Sequence, residues 1–184
     1  MSKLAVAFLG ESMIELSSNK VGLIQAFAGD SINTAIYLNR LWAGKGNSVS
    51  YITGLGDDCY SQEMIDYWNA ESINTEQVYI FPNHLPGLYR IETDQQGERR
   101  FHYWRSDAAA RYLFQHDDID RLRNQIGEFD YLFLSGISIA IFPTEDRYQL
   151  LDLIDSFKAR GGKVIFDNNY RKQLWCDVTD AKFW

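Results

Sequence analysis

The segment from Tyr131 to Asp167 constrains this chain most, because it reads as an apolar run, a long amphipathic pattern and a second apolar run. Tyr131-Leu132-Phe133-Leu134-Ser135-Gly136 has the continuous apolar character of a strand buried on both faces. Leu150, Leu151, Ile154 and Phe157 then recur at helical spacing, with Thr144 placed to cap the helix and Gly161-Gly162 to end it. Lys163-Val164-Ile165-Phe166 follows as a short buried strand. A strand–helix–strand unit lays its two strands parallel through a right-handed crossover. The chain is thereby committed to an α/β fold.

The same rhythm runs through the first third. Leu4–Leu9 reads as a buried strand ending at Gly10, and a helix follows from Ser31 to Trp42 with Ile32, Ala35, Ile36 and Leu38 in register and Asp30 as candidate cap. Ser48–Thr53 is a second strand, closed by Gly54-Leu55-Gly56-Asp57-Asp58. Ser61 can cap a helix reaching about Ala70, with Met64, Ile65 and Trp68 inward. Asp117 or Asp118 opens a further helix that carries Ile119, Leu122 and Ile126 on one stripe. Alternating strands and helices predict a parallel sheet.

The middle of the chain departs from this pattern. Leu88–Asp94 and Arg99–Arg105 alternate with period two around the polar turn Gln95-Gln96-Gly97-Glu98, which predicts a hairpin appended to the main sheet. Alternation puts Tyr89, Ile91 and Thr93 on one face, and Phe101, Tyr103 and Arg105 on one face of the return strand. Glu11–Ser17 also alternates and is free to pair with it.

A hydrophobic content of 46% supports a core, and a net charge of −7 argues against a nucleic-acid surface. Cys59 and Cys176 make no disulfide framework, and the apolar run at Leu4–Leu9 is too short for an export signal. A cytoplasmic protein is therefore expected. Gly10-Glu11-Ser12-Met13 lacks the spaced glycines of a dinucleotide turn, and Gly44-Lys45-Gly46 lacks the spacing of a phosphate loop. His84, His102 and His116 have no metal-ligand spacing and are expected on the surface.

Three groups of residues suit ligand chemistry. Gly29 would let backbone approach a ligand, Asp30 would accept from sugar hydroxyls, and Asn33 would donate and accept; the same residues equally suit a plain helix start. Tyr89, Tyr103 and Arg105 would offer aromatic rings to a sugar and a planar fork to a carboxylate, or form a core-packed stripe with a solvated arginine. Asp167, Asn169 and Arg171 sit at the carboxyl end of a strand, where open parallel sheets bind ligands. An extended run would point all three one way, with Arg171 neutralising a phosphate or carboxylate and Asn169 orienting it or its metal; a polar loop is the alternative.

Several runs together resemble a known family. They are Gly10-Glu11-Ser12-Met13-Ile14-Glu15, Gly29-Asp30-Ser31-Ile32-Asn33-Thr34-Ala35, Gly54–Asp58, Leu85-Pro86-Gly87-Leu88-Tyr89, Phe101-His102-Tyr103-Trp104-Arg105 with Ala108-Ala109-Ala110, Leu134–Ser138 and Phe166–Arg171. The chain resembles the ribokinase-like (phosphofructokinase-B) sugar kinases over essentially its whole length, and within them the 2-keto-3-deoxygluconate kinase branch. The resemblance implies a parallel sheet with helices on both faces and a small β lid from approximately residues 11–27 and 86–106. It implies ATP and Mg²⁺ as cofactors and a sugar acid as substrate, held by Gly29, Asp30, Asn33, Tyr89, Tyr103, Arg105 and Arg171. Arg105 would lie near the substrate carboxylate, and Asn169 and Arg171 near the nucleotide phosphates. Lids of this family also pair, which implies a homodimer through the Leu88–Arg105 region.

The departures are as informative. The family's catalytic base is an Asp in a Gly-Ala-Gly-Asp motif near the carboxyl end, and that motif does not occur here. Too few residues follow Arg171 for another strand–helix–strand unit. The carboxyl-terminal portion is thus expected to be missing, with the base beyond Trp184, an uncovered sheet edge after Phe166, and no phosphoryl transfer by these residues alone. A non-catalytic sugar-acid-binding module and a kinase for another ketose or a nucleoside are the alternatives.

Overall fold

The computed structural model describes residues 3–19 and 22–184. In chain order the strands and α-helices are β1 (Ala5–Leu9), β2 (Met13–Ser18), β3 (Leu23–Ala28), α1 (Asp30–Leu41), β4 (Ser48–Leu55), α2 (Cys59–Ala70), β5 (Val78–Ile80), β6 (Gly87–Thr93) and β7 (Arg99–Trp104). They continue with α3 (Ile119–Gln125), β8 (Tyr131–Ser135), α4 (Gly136–Ala140), α5 (Thr144–Ala159), β9 (Lys163–Asp167) and α6 (Val178–Phe183). A 3₁₀ stretch, Ala109–Gln115, leads into α3. The main sheet has the order β5-β4-β1-β8-β9 and is parallel throughout.

Period-two alternation decides which core each side chain enters. Val6 and Phe8 turn to one face, where they pack with Val49, Tyr51, Ile32, Met64 and Trp68 beneath α1 and α2. Ala7 and Leu9 turn to the other, with Leu132, Leu134, Leu150 and Phe157 beneath α3 and α5. Both faces of the central strand are dry, and each large apolar side chain so buried stabilises the fold by about 1.5–3 kcal/mol. The parallel sheet with helices on both faces is thus the fold expected from the alternation and the resemblance.

A second sheet, in the order β3-β2-β6-β7, stands beside the first. β6 and β7 form the antiparallel hairpin, and β2 pairs parallel with β6, as the alternation in Glu11–Ser17 suggested. Residues 20 and 21, which fall within the expected 11–27 lid segment, lie outside the described residues.

Four local readings need correction. The residues of β9 read as a buried strand, yet Ile165 is 45% and Phe166 53% exposed, because β9 is the edge strand and among the described residues only β8 pairs with it, which is the uncovered edge expected after Phe166. The cap of α2 is Asp58, which accepts from the backbone N–H of Tyr60 and Ser61; Ser61 instead donates its hydroxyl to Asp58 and accepts from the Gly56 N–H. The N-cap residue of α5 is Pro143 and makes no side-chain bond, so Thr144 begins the helix rather than capping it. Helix α4 was not anticipated: Ile137, Ile139, Ala140, Ile141 and Phe142 form an apolar run without a helical stripe, and the helix is started by a capping box between Ser135 and Ser138. Among the described residues no helix is long and apolar enough to cross a membrane.

Candidate functional site

The carboxyl ends of β1, β8 and β9 meet the start of α1, and Asp30 ties the ends of β8 and β9 to it. Gly29, not Asp30, is the N-cap of α1, and a Cβ there would come within 2.4 Å of the Glu11 carbonyl oxygen. Asp30 occupies the first turn, where its carboxylate accepts from the Ser31 N–H (2.8 Å), the Ser135 hydroxyl (2.6 Å) and the Asn169 side-chain amide (2.8 Å). Two of the residue groups singled out in the sequence, 139 positions apart, are therefore bonded to each other. A carboxylate offers about four lone-pair directions, so one remains for a ligand hydroxyl. Asn33 lies one turn on and is exposed.

The run from Asp167 to Arg171 is not extended. Asp167 accepts from the Asn169 N–H at 3.2 Å and turns the chain, and Asn169 adopts φ 31°, in the left-handed region that asparagine tolerates. The expected alignment of Asp167, Asn169 and Arg171 is lost in this turn. Asn169 instead reaches back to Asp30, while Arg171 is exposed, with no ion pair among the described residues.

On the second sheet the register sets Tyr89 opposite Tyr103 and Ile91 opposite Phe101. Tyr89, Tyr103 and Phe101 form one aromatic face, with ring centroids 5.8–6.3 Å apart. Glu15, opposite Tyr89 on β2, accepts the Tyr89 hydroxyl. Burial and this carboxylate hold the Tyr89 phenol well above its usual range. Arg105 follows β7 and donates from Nη2 to Glu11 in an almost fully enclosed ion pair, so it is not the solvated arginine that the sequence left open. Burial raises the Glu11 carboxyl, against the lowering pull of Arg105. A carboxyl raised on folding contributes less stability as pH climbs from its unfolded value through its folded one.

Tyr103 and Arg105 open onto a pocket of about 660 Å³ that is also lined by Arg111, Arg147 and Thr144. Gly29, Asp30, Asn33, Tyr89, Asn169 and Arg171 are not on its wall. Three arginines and Asp107 stand on this wall in a chain of net charge −7. Arg147 is engaged with the Phe142 and Ala140 carbonyls and with Asp180, and Arg105 with Glu11, which leaves Arg111 as the arginine of this wall without an ion pair among the described residues. His84 is not a plain surface residue: it stacks on Tyr112 at 3.9 Å, and its Nδ1 lies 3.5 Å from the carboxylate of Asp107 on the pocket wall. Among the described residues no group of three or more His, Cys, Asp or Glu side chains could hold a metal ion. Sequence reasoning assigned no role to Ser135 or Glu11; the signal for Glu11 was a charged residue directly after a buried strand and its closing glycine.

Residues 3–183 match the model of the pfkB family carbohydrate kinases. The chain belongs to that family. A 2-dehydro-3-deoxygluconokinase of Dickeya dadantii is 48% identical over 170 residues, which is 92% of this chain and 55% of the relative. The chain thus spans about half the length of that pfkB relative. Among solved pfkB structures, a PfkB protein from Polaromonas sp. JS666 superposes with a TM-score of 0.83 at 22% identity, over 99% of this chain and 61% of the other. A fructokinase with bound ATP from Xylella fastidiosa gives 0.78 at 20% identity, over 96% and 52%.

Proposed function

We propose that the protein phosphorylates 2-keto-3-deoxygluconate with ATP, giving 2-keto-3-deoxy-6-phosphogluconate, and that these residues supply the acceptor side of the site. The observation that carries this is the 48% identity to a 2-dehydro-3-deoxygluconokinase, the same activity under another name, over 92% of the chain. The geometry supports it: an arginine fork beside an aromatic face suits a sugar acid better than a neutral sugar. In this reading the second sheet is a lid. Tyr89 and Tyr103 cover the sugar, Arg105 takes its carboxylate, and the Gly29–Asn33 turn takes its hydroxyls.

ATP supplies the transferred phosphoryl group. Arg171, exposed and without an ion pair among the described residues, fits a phosphate oxygen, and Asn169 orients the same turn against Asp30. Mg²⁺ in such sites takes one or two carboxylates with the substrate phosphates, and no residue here is assigned to it. Phosphoryl transfer is mostly positioning and charge stabilisation. The base of the Gly-Ala-Gly-Asp motif is absent from these 184 residues, so they are expected to bind acceptor without transferring phosphate.

A chimera tests the reading. These residues, joined after Trp184 to the carboxyl-terminal part of the Dickeya dadantii relative, should phosphorylate 2-keto-3-deoxygluconate while the 184-residue protein alone does not. A chimera that phosphorylates fructose in preference, or phosphorylation by the 184 residues alone, contradicts it. The reading includes a cytosolic protein and a dimer through the lid, whose Leu23, Phe101 and Trp104 are exposed. A light-scattering mass of one chain would remove the dimer.

A further inference from the structure

Glu11 lies where every crossing between the two sheets converges. Gly10-Glu11-Ser12 carries the chain from β1 to β2, and Gly29, returning from β3, packs against the Glu11 carbonyl. Gly87 opens β6, and a Cβ there would come within 2.5 Å of Glu11 Oε1 and 3.2 Å of the Arg105 Cβ. Arg105, leaving β7, donates to Oε2. Glu11 is 2% exposed, and its Oε1 has no hydrogen-bond partner among the described residues.

We propose that Glu11 is the positioning residue for Arg105, holding the guanidinium at the root of the lid and thereby setting the selectivity of the site for carboxylate ligands. The inference rests on the sugar-acid reading above. Burying a carboxylate with one oxygen unpaired is unfavourable, so a joint that served packing alone would be better built from neutral groups. The charge is accounted for by its partner. Glu11 occupies Nη2 only, so most of the five guanidinium N–H groups stay available to the pocket that Arg105 lines. An arginine fixed in advance loses less side-chain freedom when it binds an anion. The Arg105 guanidinium carbon also lies over the Tyr103 ring, 6.0 Å from its centroid.

A double-mutant cycle with two readouts decides this. Glu11→Ala, Arg105→Ala and the double variant of the 184-residue protein are titrated with 2-keto-3-deoxygluconate, with folding checked by circular dichroism. Glu11→Ala should weaken sugar-acid binding about 10- to 100-fold, and the double variant should bind no worse than Arg105→Ala, because both remove one device. Losses that multiply in the double variant would make Glu11 merely structural. The second readout needs no ligand: Arg105 should resist an arginine-specific dicarbonyl reagent in the parent and react in Glu11→Ala, as followed by peptide mass mapping. Equal protection in both overturns the proposal. If the parent binds no sugar acid, the functional reading falls while the modification arm still judges the hold of Glu11 on Arg105. Glu11→Gln, of nearly the same shape, replaces Glu11→Ala should the alanine variant not fold, with faster modification than the parent again expected.

Discussion

Replacing Asp30 with alanine is expected to lower the thermal midpoint by roughly 5–10 °C and to weaken sugar-acid binding about 100-fold. Asp30 takes three hydrogen bonds, from the Ser31 backbone, the Ser135 hydroxyl and the Asn169 amide. Ser135 is fully buried, so its hydroxyl loses a charged acceptor with no water to replace it, at a cost of about 1–3 kcal/mol. Asn169 loses the bond that holds its left-handed turn, and such a backbone persists only while its surroundings enforce it. The two effects together come to roughly 2–4 kcal/mol, and each kcal/mol moves the midpoint of a domain this size by about 2–4 °C. Binding falls further than stability because Asp30 belongs to the turn that takes the sugar hydroxyls, and its remaining acceptor site is lost with the carboxylate. Asp30→Asn, which keeps an acceptor without the charge, should fall between parent and alanine. Differential scanning calorimetry finding a shift under 2 °C for Asp30→Ala would show that the carboxylate does not join these segments (the threshold being ~1 kcal/mol or less).

Arg105→Ala is expected to weaken ligand binding and to have a pH-dependent effect on the fold. A hydrogen bond to a charged group contributes about 1.5–3 kcal/mol, so losing the fork should reduce sugar-acid affinity about 10- to 100-fold. The substitution also strands Glu11, whose side chain is 1% exposed. Removing one partner of a buried ion pair costs about 3–5 kcal/mol while the other stays charged. Glu11 has an escape, since burial already raises its carboxyl. Without Arg105 that carboxyl rises further, and the variant gains stability relative to the parent as pH falls and Glu11 takes a proton. Denaturant unfolding should therefore give a deficit of about 3 kcal/mol near neutrality that shrinks toward pH 5. A deficit that grows on acidification would contradict the assignment. Arg105→Lys should keep most of the stability and lose most of the carboxylate selectivity, because an ammonium supplies the charge without the planar fork.

The sheet was legible because its signal is local and periodic. Tyr131–Gly136, Lys163–Phe166 and Leu4–Leu9 each announce a strand by apolar content, and Tyr89, Tyr103 and Phe101 share a face simply because residues alternate along paired strands. Caps were less legible: Asp58 and Ser61 both carry side chains suited to the start of α2, where Asp58 is the cap, while α5 has no side-chain cap at all. The burial read from the residues of β9 failed because apolar content reports what a strand can bury, not which neighbours it has; its exposure follows instead from its place at the edge, which the short stretch after Arg171 predicts. Within the site, Asp30 and Asn169 were singled out separately, but their bond spans nearly the whole chain and no local pattern encodes it. Glu11 was hidden for the same reason: its partner Arg105 lies 94 residues away, across the joint of two sheets.

The central claim is that these residues form a sugar-acid site whose carboxylate receptor is Arg105. Isothermal titration of the 184-residue protein with 2-keto-3-deoxygluconate, in parallel with Arg105→Ala, tests it most directly. Saturable one-site binding by the parent, weakened at least ~10-fold in the variant, is the predicted result. No saturable binding by the parent, or equal binding by both proteins, would contradict it.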